Sequence, residues 1–181
     1  MRCREGFSKL LDQVVPGRKP RLIACGSRHS TFDDFRTAHS QAKDGEFVAM
    51  WVDSEDPLAN LDATWHHLQA RDGWKAPVGA TDEQVLFMTT CMETMIAADR
   101  PALREHYGAK LQENALPSLH QIEARNRHEV QDALAHATRH CKNQYLKGRG
   151  SFEALSKLNA NTLKQHLPSF ERATRILDEK L

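Results

Sequence analysis

Phe7, Leu10, Leu11 and Val14 recur at three- and four-residue spacing, the period of one helix face. They predict a helix over 2–14 that Pro16-Gly17 ends. Arg21-Leu22-Ile23-Ala24-Cys25 is a short apolar run between Pro20 and Gly26 and predicts a buried strand. Ser30 or Thr31 is placed to cap the next helix, which carries Phe32, Phe35 and Ala38. After a break at Asp44-Gly45, the stretch Phe47–Val52 is continuously apolar, as a strand covered on both faces must be. Helix, strand, helix, strand is the order of βαβ units and predicts an α/β fold with a parallel sheet.

Residues 54–82 are polar and hold two prolines, two glycines, Trp65 and Trp74. They read as a long connection with a helical turn over 60–70, and long ordered connections are often functional. Residues 84–99 allow two readings. One is a strand over 84–91 followed by a helix from 92 to 98; the other is a single long helix. The last third is helical in composition, over 127–145, 151–157, 161–166 and 168–180, with Pro168 suited to a first turn. There is no internal repeat and no low-complexity stretch.

Composition narrows the class. The chain has 181 residues, 40% of them hydrophobic and 27% charged, which is enough to bury a core without metal or disulfide staples. Net charge is +1, so no global basic field marks a nucleic-acid binder. The four cysteines are far apart and form no CxxC pair, which argues against a zinc ribbon and a secreted disulfide framework. The N-terminus lacks an apolar signal region, and no segment approaches the ~20 apolar residues of a membrane span. A cytoplasmic protein without membrane contact is expected.

The candidate chemistry begins where the best strand ends, at Asp53-Ser54-Glu55-Asp56. In open parallel sheets ligands bind outside the carboxyl ends of the strands. Two carboxylates at i and i+2 can point toward one hard cation, which takes oxygen ligands and keeps several waters. If 84–91 is a strand, Glu93 arrives at the same edge and Asp99 follows. Each acid also has a plain structural alternative: a solvated turn or helix cap for Asp53 and Glu55, an arginine salt bridge for Glu93. Arg71 can hold a phosphate or carboxylate bidentately, or pair with Asp72, and the two tryptophans can anchor the loop. Gly26-Ser27-Arg28 opens a helix and can receive an anion, and Lys147 sits in a small basic loop, Tyr145–Ser151. His128, His136 and His140 read as a histidine-rich solvent face, and Cys91 as a small buried residue.

The strings CREGFSKLL, FVAMWVDSEDP, W-x-x-L-x-x-RDGW, CMET-x-x-x-AD and Y-x-KG-x-x-SFE-x-L resemble a family of bacterial proteins known as domain of unknown function 4276. The resemblance covers nearly the whole chain. It implies a Toprim-like parallel sheet flanked by helices over 1–125, with a helical C-terminal extension of the same domain over 126–181. A Toprim site binds Mg2+ and cleaves or rejoins phosphodiesters, using a glutamate after the first strand and a D-x-D-type motif after a later one. Carried onto this sequence, that motif falls on Asp53 and Glu55, the M-E element on Glu93 and the closing acid on Asp99. Relatives begin with a strand ending in V-E-G-G-x, whereas this chain starts inside the helix that follows, so the first strand and its glutamate are expected to be missing. Met95 stands where the pattern has tryptophan.

The resemblance thus implies a Mg2+ (or Mn2+) dependent nuclease or phosphodiesterase, in which Asp53, Glu55 and Glu93 act at the metal with Asp99 beside them. Arg28, Arg71, Asp72 and Lys147 are the candidate contacts to a nucleic-acid substrate. It also implies a neighbouring AAA- or OLD-type ATPase and a setting in defence against phage. The alternative is a non-catalytic binding or regulatory subunit of an ATPase complex, or a homo-oligomer, with the acids in salt bridges and an open sheet edge covered by a partner.

Overall fold

The computed structural model describes residues 3–181, apart from the side chain of Arg149. The expected helix start at Arg2 lies outside the described residues. Helix α1 spans Cys3–Val14, α2 Arg28–Gln41, strand β1 Met50–Asp53, α3 Thr64–Asp72 and strand β2 Val85–Met88. Seven-residue α4 (Met92–Ala98) follows at once, then α5 (Arg100–Tyr107), α6 (Arg127–Thr138), α7 (Arg149–Leu155), α8 (Ala160–His166) and α9 (Pro168–Lys180). Among the described residues no helix is long and apolar enough to cross a membrane.

The sheet is parallel, pairing Met50 with Val85, Trp51 with Leu86, Val52 with Phe87 and Asp53 with Met88. Side chains alternate across a strand, and here the two faces meet two separate cores. Met50, Val52, Val85 and Phe87 pack with Phe32 and Phe35 of α2 and Trp65 and Leu68 of α3. Leu86 and Met88 join the larger core, built from α1 and the helices after β2. Every residue of β2 is therefore buried, which explains its uniformly apolar VLFM. The mixed α/β class expected from the sequence is present. The structure is helix-rich, and only these two strands occur among the described residues.

Of the two readings for 84–99, the strand followed by a helix is the one observed. The run 21–25 is not a strand: Ile23 is 62% exposed, and only Leu22 packs against the core. A strand needs a neighbour to take its backbone hydrogen bonds, and a five-residue apolar run carries no information about one. The ladder of β1 starts at Met50 rather than Phe47, and the cap of α2 is Ser27, whose side chain accepts from the Ser30 N–H.

The region 127–145 stops being helical at Thr138. The Thr138 hydroxyl donates to the Leu134 carbonyl and accepts the Tyr145 N–H, so the chain folds back and buries Tyr145. Helix α5 is not among the elements expected from the sequence. Its signal was present, since Asp99 accepts the Ala102 N–H as N-cap and Pro101 sits in the first turn. Helix α9 lies along β2 through Arg172, whose guanidinium donates to the carbonyls of Val85 and Asp82 and pairs with Asp62 at 2.9 Å.

Candidate functional site

Both strands end at one edge, and the chain is knotted together there by backbone bonds. Ser54 N donates to Met88 O at 3.1 Å and Glu55 N to Thr90 O at 2.8 Å, extending the pairing past the ladder. Asp53 closes β1, and its Oδ1 accepts the Met92 N–H at 2.9 Å, in the first turn of α4. Glu93 occupies the next position of that turn, so the end of one strand and the helix after the other deliver two carboxylates to one place. Glu93 is 3% exposed, and its Oε1 accepts the Tyr145 hydroxyl at 2.6 Å while Oε2 accepts the Gln131 side-chain amide at 3.2 Å.

Burial pushes the Asp53 carboxyl up to about 6, and the negative charge of Glu93 adds to the rise. The Met92 N–H and the positive charges of Arg28 and Lys147 oppose it without cancelling it. Among the described residues Asp53 has no ion pair. The charge of Lys147 acts on Asp53, and Lys147 shares its loop with Tyr145, which binds Glu93. Burial, and then Glu93, push the Cys91 thiol up to about 12, which keeps it protonated and fits a small buried residue rather than a nucleophile.

Glu55 is only two residues from Asp53, but its surroundings are opposite. Its side chain is 13% exposed and ringed by Arg28 at 3.9 Å, Arg71 at 3.7 Å and Arg127 in direct contact. Arg28 also forks onto Asp72 at 2.8 and 2.9 Å, donates through Nε to the Asp53 carbonyl, and lies over the Trp74 ring. Arg71 binds Asp56 and Asp72. Burial works to raise the Asp72 carboxyl, but the hydrogen bonds and charges of Arg28 and Arg71 outweigh it and hold it below the usual range. Glu55 itself has φ +69, an uncommon conformation for a side-chain-bearing residue.

The structure therefore brings Asp53 and Glu93 together, with the charge of Lys147 acting on Asp53, and sets Glu55, Arg28, Arg71 and Asp72 in an adjoining charge-paired network. Asp99 is engaged elsewhere. It is 1% exposed, and its two oxygens accept the Ala102 N–H at 3.0 Å and the Asn159 N–H at 2.7 Å, tying α5 to the start of α8. The tryptophans of 65–74 are anchors: Trp74 stacks on Phe32 at 4.6 Å and Trp65 donates to the Thr81 carbonyl.

Three residues at the site escaped sequence reasoning. Arg127 is a surface-looking residue at the start of α6. Gln131 lies one turn further on the same helix. Tyr145 was visible only as part of a basic loop, and nothing local to it points to Glu93.

All of these residues lie within 7–177, the stretch matched by the family model described as Domain of unknown function (DUF4276). The chain belongs to that family. No curated protein and no solved structure matches it. The matched stretch includes both the acid pair and the arginine network, with α2 to α8 whole and most of α1 and α9.

A hard cation can be tested against the DUF4276 site on its donors. Among the described residues no group of three His, Cys, Asp or Glu side chains gathers to hold a metal. The donor set is Asp53 and Glu93, two carboxylates whose oxygens each keep a free lone pair beside the bonds they accept. That suits a cation that takes one or two protein carboxylates and completes its shell with water. The raised Asp53 carboxyl fits as well, because a like-charged pair lacking a counter-ion is what a bound cation relieves.

Proposed function

We propose that this domain is a Mg2+- or Mn2+-dependent phosphodiesterase of Toprim type acting on nucleic acid. The observation that carries the reading is the placement of Asp53 and Glu93 together at the carboxyl edge of the parallel strands, with Asp53 raised to about 6. Asp53 and Glu93 would hold the cation, which polarises the phosphoryl oxygen and lowers the pKa of a bound water. Tyr145 and Gln131 hold the Glu93 carboxylate in place through its two oxygens. Lys147 supplies positive charge for a phosphate approaching Asp53. Arg28, Arg71 and Arg127 are committed to Glu55, Asp56 and Asp72, and their part is to brace the strand end. A partnership with an AAA- or OLD-type ATPase in defence against phage belongs to the same reading and rests on the resemblance of the sequence motifs.

The test is cleavage of single- and double-stranded DNA and RNA with Mg2+ or Mn2+, by the wild type and by Asp53→Asn. Loss of one metal ligand is expected to cut the rate by about a hundredfold or more. Wild-type protein that neither cleaves nor binds either cation would end the reading.

A further inference from the structure

The chain is nearly neutral at +1, yet one stretch carries charge of a single sign. From Ala133 through Phe152 it holds no Asp or Glu, while Arg139, Lys142 and Lys147 are all exposed. Elsewhere exposed cations meet carboxylates, as in Arg18–Asp178, Arg104–Glu113 and Lys180–Glu83. Among the described residues Arg139, Lys142 and Lys147 have no carboxylate partner. The fold gathers them. The Tyr145 N–H donates to the Thr138 hydroxyl at 2.9 Å, which closes the 138–145 loop and sets Leu146 and Lys147 beside the end of α6. The Asn143 side chain donates to the His106 carbonyl at 2.8 Å and pins the loop to α5. Gln112 N donates to the Ala137 carbonyl at 2.9 Å, so the turn Gly108–Lys110 lies against the same helix end, and Lys110 is exposed as well.

This basic crest leads to the acid pair, since the Tyr145 hydroxyl binds Glu93 and the charge of Lys147 acts on Asp53. Cations spread over several segments favour a ligand with several anions. One free phosphate touches one or two of them, whereas a polyanion engages them together and releases counter-ions as it does so. Exposed apolar surface in the stretch is confined to Leu146, too little to enter a membrane interface. Arg139 donates to the rings of His136 and His140 at 3.0 Å, which holds its guanidinium at the surface. Exposed imidazole rings and an arginine plane are groups on which unpaired bases stack.

We infer that Lys110, Arg139, Lys142 and Lys147 form the surface along which the phosphate backbone of a nucleic-acid strand runs to Asp53 and Glu93. This path rests on the phosphodiesterase reading for the identity of its ligand and adds to it the route by which the strand reaches the acids. Binding to the crest needs no divalent cation.

Fluorescence anisotropy of a labelled oligonucleotide, single-stranded and as a duplex, tests it with the full chain in EDTA over a salt series. The wild type is expected to bind at least one form with a Kd between about 1 and 100 μM near physiological salt. Reversing two charges of the crest, Arg139→Glu with Lys142→Glu, should weaken binding at least about tenfold. It should also flatten the plot of log K against log salt by about 1.5, the share of two phosphate contacts. Lys43→Glu with Lys164→Glu reverses two exposed lysines on other segments and should weaken binding under about threefold. Should the double reversal fail to fold, Lys142→Glu alone carries the test and should lose about threefold or more. Equal losses from crest and control reversals, a wild type that binds neither form, or displacement by polyglutamate as effective as by unlabelled oligonucleotide would overturn the crest. Cleavage and cation binding by the acid pair are measured separately, so either reading can fall without the other.

Discussion

Asp53 and Glu55 leave the same strand end two residues apart, and the chain treats them in opposite ways. Glu55 is enclosed by three arginines drawn from α2, α3 and α6, and two of them, Arg28 and Arg71, are in turn shared with Asp56 and Asp72. Asp53 faces another carboxylate across the edge and receives one backbone N–H. Charge pairing of the first kind holds segments in place. Charge frustration of the second kind costs stability unless something neutralises it, and such sites are where ligands act. The two regions sort the D-x-E pair into a brace and a candidate reactive group, which spacing alone could not do.

Breaking the brace should have the larger effect on folding. Glu55→Gln removes the charge that Arg127 and its neighbours surround. Deleting one member of a largely buried ion network leaves cations without their partner, and a loss of about 3 kcal/mol is expected by chemical denaturation. The strand end should loosen with it, because Glu55 N also bonds the Thr90 carbonyl. If Glu55→Gln is as stable as the wild type, the cluster is not a brace and the contrast with Asp53 fails.

Removing the frustrated acid should act in the opposite direction. A carboxyl raised from 3.8 to about 6 by folding favours the folded state only while protonated. Its contribution is complete below about pH 4 and is lost as pH rises through about 6. The full rise corresponds to about 3 kcal/mol, and relaxation around a group near the surface trims it, so Asp53→Asn should gain about 2 kcal/mol at pH 8 and almost nothing at about pH 4. Glu123, pushed up to about 7 by burial, gives the wild type a second slope of the same sign, which Asp53→Asn should leave in place. Adding Mg2+ at pH 8 should stabilise the wild type and not the variant, since a ligand of the folded state stabilises by mass action. A variant less stable than wild type at pH 8 would show that Asp53 is already compensated.

The sequence carried this contrast only in part. The sequence left residues 84–99 open between a strand followed by a helix and one long helix, and the first is observed. The break between β2 and α4 sends Glu93 to the edge beside Asp53, so the juxtaposition could be expected only on the first of those readings. The arginine ring could not, because its members sit at positions 28, 71 and 127 and meet only after α2, α3 and α6 have packed. Asp99 carried the Asp-Arg-Pro signature of a helix start, which outweighs its place in an acidic series. The run 21–25 shows the reverse limit: apolar composition reports a wish for burial, while a strand also requires a neighbour that no single segment reveals.

The smallest effect is the one that probes how Glu93 is held. Tyr145 reaches Oε1 at 2.6 Å and Gln131 reaches Oε2 at 3.2 Å. A short bond from a buried hydroxyl to a carboxylate is the stronger kind, and burial together with Glu93 keeps that phenol protonated by raising it above its ordinary value. Tyr145→Phe retains the ring and its packing and deletes only the donor, so it should cost about 1–2 kcal/mol at pH 8. Gln131→Leu removes a longer bond on a half-exposed helix face and should cost under about 1 kcal/mol. The ranking matters more than either value. If Glu93 is anchored chiefly from the 139–148 loop, the loop that brings Lys147 toward Asp53 also sets the second acid, and loosening it should weaken Mn2+ binding together with stability. Gln131→Leu proving the more damaging would move the anchor to α6 and leave the loop to Lys147 alone.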